Sequence, residues 1–207
     1  MARPDFPFSA VIFDMDGVIV DTEAYYKEEL RRYAGHLGIS GTVGEDELNS
    51  QVGMSHQDFC VLMADWQARA GRRMGAGEAL AAYDAWAARR PCDYRALLNP
   101  GVPETLDELH RRGVRVALAS SSPLDNIREV LAACGIARAF DPVVSGEAFT
   151  KSKPDPEIYL HTVAELGLTP AECCCVEDSV PGIAAGRAAG LTVFAKREER
   201  FGFSQDA

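Results

Sequence analysis

The chain has 207 residues, 47% hydrophobic and 25% charged, the composition of a soluble globular protein long enough to bury a working core. A formal charge of −10 argues against a nucleic-acid footprint, which would need clustered Lys and Arg. No apolar run approaches the roughly 20 residues that span a bilayer, and Met1–Asp5 lacks the long apolar region of a signal peptide, so the expectation is a cytoplasmic protein.

In chain order, the first element is the apolar run Val11-Ile12-Phe13, which delivers Asp14 and Asp16 and is followed at once by Gly17. It reads as a buried strand that ends in a chemical site. Asp21-Thr22-Glu23 reads as a helix start, and apolar spacing continues to Leu37, where Gly35 and Gly38 close the helix. Helical texture persists to about residue 90. Ser55-His56-Gln57-Asp58 has a capping-box layout, with Asp in place of Glu or Gln, opening a helix to Gly71. An alanine-rich helix follows from about Gly77 to Arg89, and Pro91 stops it.

Beyond Asn99-Pro100-Gly101 short apolar strands alternate with amphipathic helices. Helices are expected at Pro103–Arg112, Leu124–Cys134, Pro156–Leu166 and Pro181–Ala189. The strands expected between them are Val114–Ala119, Val143–Val144, Cys173–Val176 and Leu191–Phe194. That alternation predicts an α/β fold, a Rossmann-like parallel sheet covered on both faces, with the helical block inserted after the first strand. The expected division is 1–18 and 95–207 for the sheet domain and 19–94 for the insertion. The six cysteines are too unevenly spaced for a disulfide framework. Cys173, Cys174 and Cys175 are successive strand residues that point to opposite faces and cannot converge on one ion, so zinc is not expected. The glycines at 182, 186 and 190 suggest close packing of a helix on the sheet, and the chain past Lys196 reads as a loop.

Ligands of open parallel sheets bind beyond the carboxyl ends of the strands. There the sequence places Asp14 and Asp16, Ser120-Ser121-Ser122, Lys151 and Lys153, and Glu177-Asp178-Ser179. Each cluster alone is an ordinary turn or helix cap. Their arrival at successive strand ends is what that reading leaves unexplained. Carboxylates gathered in one place repel unless a cation neutralises them, and hard oxygen donors favour Mg2+. A lysine and hydroxyls beside them suit a phosphate, and Asp14 is the natural nucleophile.

The set Asp14-Met15-Asp16-Gly17-Val18, Ser120 after a strand, Lys153-Pro154 and Glu177-Asp178-Ser179-x-x-Gly182 closely resembles the haloacid dehalogenase (HAD) superfamily, in its beta-phosphoglucomutase-like phosphatase branch. The resemblance covers nearly the whole chain and implies a HAD core with a helical cap that closes over the site. It implies phosphomonoester hydrolysis through an aspartyl-phosphate on Asp14, with Asp16 as acid and base and Ser120 and Lys153 holding the phosphoryl oxygens, assisted by backbone around Ser121. It implies Mg2+ held by Asp14, the Asp16 carbonyl, Asp178 and Glu177, the last directly or through water. The implied partner is a small phosphorylated metabolite such as a sugar phosphate, with no nucleic acid or membrane, and a monomer is expected.

The mutases of this branch carry a histidine in the first cap helix and an arginine in the cap loop that grips a second phosphate. Tyr26 and His56 stand at the matching positions, and Leu124 replaces a polar residue after the serine loop. Histidine is a poor substitute for a bidentate guanidinium. Hydrolysis is therefore preferred to the alternative, a beta-phosphoglucomutase-like isomerase. Whether Tyr25 and Tyr26 face the site stays open from sequence.

Overall fold

The computed structural model describes residues 6–52, 54–90, 92–201 and 204–205. In chain order the elements are β1 (Ala10–Phe13), α1 (Thr22–Leu37), α2 (Glu45–Asn49), α3 (His56–Arg69) and α4 (Ala76–Ala87). Then come α5 (Val102–Arg111), β2 (Arg115–Ser120), α6 (Leu124–Ala133), β3 (Val143–Ser145), α7 (Glu157–Glu165), β4 (Cys173–Glu177), α8 (Val180–Ala188) and β5 (Thr192–Ala195). The strands form one parallel sheet in the order β3-β2-β1-β4-β5. Winding reverses between β1 and β4, where an open α/β sheet leaves its ligand crevice.

The central strands β1, β2 and β4 are mostly apolar because both faces of the sheet are covered there. Val11 and Phe13 pack on one side with Val116, Leu118 and Cys174 against Leu106 of α5 and Ile127 of α6. Ala10 and Ile12 pack on the other with Ala117, Cys173 and Cys175 against Tyr159 and Val163 of α7 and Ala185 of α8. The three adjacent cysteines thus divide between two faces, as strand geometry requires.

Residues 22–87 build their own apolar cluster from Leu30, Tyr33 and Leu37 of α1, Leu48 of α2, Met63 and Trp66 of α3, and Tyr83 and Trp86 of α4. Tyr33 sits at its centre, with ring centroids 5.0 Å from Trp86 and 5.1 Å from Tyr83, and its hydroxyl accepts from Gln67 at 2.7 Å. Ser55 caps α3 by accepting from the Asp58 amide. The reciprocal arm of a capping box is absent, because the Ser55 hydroxyl donates to the Asp58 carboxylate instead. Pro91, expected to stop α4, lies outside the described residues. Two tethered segments join this block to the sheet. Asp21 N donates to Leu97 O, Asn99 N donates to Ile19 O, and the Asn99 amide donates to the carbonyls of Gly17 and Val18.

The structure differs from the sequence reading at two further points. Gly35 lies inside α1, and only Gly38, left-handed at φ 76°, ends it. Asp21 makes no capping bond to α1, because its carboxylate is taken by Arg200 at 2.7 and 2.8 Å. The chain past Lys196 forms no helix or strand among the described residues, in keeping with the loop expected there, and it returns to the carboxyl edge of the sheet, where the Gln205 amide donates to the carbonyls of Asp178 and Lys196.

Candidate active site

Four strand ends converge here. Asp14 follows β1 and is buried. Lys153 reaches it from the segment after β3, with Nζ 2.7 Å from Asp14 Oδ1, 2.6 Å from Glu177 Oε1 and 3.1 Å from the Ala119 carbonyl. Three acceptors around one ammonium fix its position. Glu177, at the end of β4, also accepts from the Tyr159 hydroxyl at 2.5 Å and from Ser179 at 3.3 Å. Gly182 lies so close that a Cβ there would overlap the Glu177 carboxylate, which explains a glycine in the first turn of α8.

Asp178, the next residue, is different. Both of its carboxylate oxygens are buried and have no hydrogen-bond partner among the described residues. A buried carboxylate without a partner carries a desolvation cost that a cation would offset. Oxygens of Asp14, Glu177 and Asp178 lie within 4.8 Å of one another. Gly17 presents no Cβ at φ 76°, where a side chain would overlap Asp178. The donors are all hard oxygens, so the set fits a Mg2+-type ion.

Asp16 lines the same cavity but stands outside that cluster. Its Oδ1 accepts from Thr22 at 2.6 Å and its Oδ2 from Ser122 at 2.7 Å. Ser120 is buried at the end of β2, its Oγ accepting from the Ser122 amide at 3.1 Å, and Ser121 lines the cavity beside it. Sequence reasoning missed Ser122 and Thr22. The signals were present, a third serine after β2 and a threonine one residue past Asp21, but only the turn geometry selects among three serines.

Electrostatics follow from burial. It pushes the Asp14 carboxyl well above the usual carboxylate range, against the pull of Lys153. It pushes Asp178 up to about 7, with the Glu177 charge adding to the effect. Burial alone would lower Lys153, but the charges of Asp14 and Glu177 outweigh it and hold the ammonium above its ordinary value. Glu23, at the start of α1, is pushed well up by burial and by the charges of Asp16 and Asp178, while the Gln51 amide donates to it at 2.7 Å.

These groups open into a cavity of about 630 Å³ between the sheet edge and the helical block. Asp14, Asp16, Ser120, Ser121, Lys153 and Asp178 form its floor, and Tyr25, Tyr26 and His56 all line it. The Tyr26 hydroxyl lies 3.5 Å from that of Tyr94, which also accepts from Asn126 at 3.1 Å. His56 is exposed at the first position of α3.

Residues 8–190 match the family model described as haloacid dehalogenase-like hydrolase. The chain belongs to the haloacid dehalogenase-like hydrolases. A phosphorylated carbohydrates phosphatase of Thermotoga maritima is 33% identical over 88% of this chain and 82% of its own length. Hexitol phosphatase B of Escherichia coli K12 is 31% identical over 88% and 80%. The crystal structure of a putative beta-phosphoglucomutase from Thermotoga maritima superposes with TM-score 0.70 at 29% identity, covering 94% of this chain and 89% of that one. This HAD-like hydrolase is accordingly an enzyme of the phosphoric monoester hydrolase class, in the branch of the beta-phosphoglucomutase-like phosphatases. Among its described residues no helix is long and apolar enough to cross a membrane.

Proposed function

We propose that the enzyme is a Mg2+-dependent phosphatase that hydrolyses a small phosphomonoester, of the sugar-phosphate kind, through an aspartyl-phosphate. The observation that carries this reading is the contrast between two adjacent carboxylates: Glu177 is engaged by Lys153, Tyr159 and Ser179, whereas the Asp178 carboxylate has no hydrogen-bond partner among the described residues. One orients the lysine and the other is left for a cation. The phosphatase names of the relatives at 31% and 33% identity support the substrate class. Under this reading residues 1–18 and 95–207 are the catalytic core and 19–94 the cap.

In the reaction, Asp14 attacks phosphorus with the oxygen that Lys153 does not hold, and the bond from phosphorus to the substrate oxygen breaks. Asp16 gives its proton to that leaving oxygen, then takes one from the water that cleaves the acyl phosphate, so that inorganic phosphate and free Asp14 result. Thr22 and Ser122 hold Asp16 at the angle both transfers need. Lys153, Ser120 and the backbone around Ser121 bind the phosphoryl oxygens. Asp14, the Asp16 carbonyl, Asp178 and, directly or through water, Glu177 would hold Mg2+, which supplies charge neutralisation when bound. Tyr26 and His56 contact the rest of the substrate from the cap side. The isomerase alternative is not favoured, because the tyrosine–tyrosine pair at Tyr26 and the exposed His56 offer no fork for a second phosphate.

The test is phosphate release from a panel of phosphorylated metabolites with Mg2+, with the Asp14→Asn variant as blank. Turnover of sugar or polyol monophosphates above that blank is the expected result. Interconversion of isomers without net phosphate release, dependent on a bisphosphate activator, would overturn it.

A further inference from the structure

Glu29 is a buried cap carboxylate that the proposed chemistry leaves without a task. It lies on α1, is 2% exposed, and lines the cavity. Its Oε1 accepts from Arg32 at 3.0 Å, while its Oε2 is shielded from solvent and has no partner among the described residues. The phenols of Tyr25 and Tyr83 lie close enough that the Glu29 charge helps to raise both. A carboxylate oxygen kept dry and unpaired is costly unless something bound in the cavity donates to it.

We propose that Glu29 is a specificity-determining residue whose Oε2 accepts a hydrogen bond from a hydroxyl of the substrate remote from its phosphate. The inference rests on the phosphatase reading and names the part of the substrate that the cap recognises. A neutral hydroxyl suits the site because Arg32 already supplies a positive charge to the same carboxylate. An anionic tail does not suit it, since Asp84 and Glu129 line the same cavity and the Arg90 guanidinium that also lines it is stacked 4.6 Å over the Trp86 ring. Tyrosine rings beside the carboxylate provide apolar faces for the C–H surfaces of a hydroxylated chain. The site therefore fits a sugar or polyol monophosphate better than either a bisphosphate or an alkyl phosphate.

The experiment compares kcat/KM for a hexitol monophosphate and for n-hexyl phosphate, a chain of the same length without hydroxyls, in the parent, Glu29→Gln and Glu29→Leu. The parent should prefer the hexitol ester, and that preference should fall by about tenfold or more in Glu29→Leu, mainly through KM. Glu29→Gln, which keeps the shape and an acceptor oxygen, should lose less and covers the case in which the leucine variant does not fold. An unchanged preference in a folded variant overturns the assignment. So does an amino-sugar phosphate that outcompetes its hydroxyl counterpart in the parent and loses that advantage in the variants, since that result makes the donor an ammonium. If the parent releases phosphate from none of these esters above the Asp14→Asn blank, the phosphatase reading itself fails and takes this inference with it.

Discussion

Ser122 donates its hydroxyl to Oδ2 of Asp16 at 2.7 Å, completing a clamp whose other jaw is Thr22 on Oδ1 at 2.6 Å. The two hydroxyls come from separate parts of the chain, one from the loop after β2 and the other from the first residue of α1. A rigid body motion of α1 away from the sheet would break one bond and keep the other. Replacing Ser122 by Ala should lower kcat about tenfold, equivalent to about 1.4 kcal/mol of transition-state stabilisation, with little change in KM. Ser122→Thr, which restores a hydroxyl, should recover most of the loss. Steady-state kinetics on both variants checks this, and a loss carried by KM alone would remove Ser122 from the positioning of Asp16.

Lys153 is the only cation bonded to Asp14 and Glu177 among the described residues, and its side chain is 4% exposed. Lys153→Met leaves two buried carboxylates without their cation, a change that costs about 3–5 kcal/mol in buried pairs of this kind. The cost should grow with pH. Asp14 already has a carboxyl pushed well above its ordinary range, so at acid pH it takes a proton and the penalty shrinks. Urea unfolding of the variant and parent at about pH 5 and about pH 8 measures the difference, which should be larger at the higher pH.

Asp178 gives the clearest pH signature. Its folded-state value of about 7 lies above its ordinary 3.8, so the folded state holds a proton that the unfolded state has already lost between those values. That contribution to stability is fully present below the ordinary value and is lost as pH rises through about 7. The metal-free protein should therefore lose stability across this window. Mg2+ binds the deprotonated carboxylate, so its stabilising effect should run the opposite way, small at acid pH and larger above about 7. At a concentration near 100 times Kd it should raise Tm by roughly 5–10 °C at alkaline pH. Thermal melts with Mg2+ and with EDTA across pH provide the check, and Asp178→Asn should abolish the difference.

The sheet was legible from its short apolar runs, and Asp14, Asp16, Glu177 and Asp178 because each lies at or within three positions of the end of one, whereas Lys153 reaches the site from a longer segment after β3. A strand fixes the direction of the residue at its end, so position in sequence converts directly into position in space. The contacts that orient those residues were not legible for the opposite reason. Ser120, Ser121 and Ser122 are chemically alike, and the turn after β2 decides that Ser122 meets Asp16 while Ser120 accepts from the Ser122 amide. Arg200 and Gln205 lie in a charged, irregular segment with no periodicity to place it, yet they reach Asp21 and the Asp178 carbonyl. Glu29 was hidden by its helix: on an amphipathic pattern an acidic residue reads as solvent-facing, and only the neighbouring elements bury it.

The glycines of α8 separate packing from chemistry. A Cβ at Gly182 would overlap the Glu177 carboxylate, whereas a Cβ at Gly186 would meet Cys175 Sγ at 2.6 Å and Val193 at 3.0 Å, on the apolar face of the sheet. Gly186→Ala should cost about 1–3 kcal/mol of stability through overpacking and leave kcat of the folded fraction largely intact. Gly182→Ala should cost a similar amount and also lower kcat, because a displaced Glu177 no longer holds Lys153 against Asp14. Denaturant titration together with kcat for both variants decides the matter. Equal kcat in the two would mean that Lys153 keeps its place without Glu177, held by Asp14 and the Ala119 carbonyl alone.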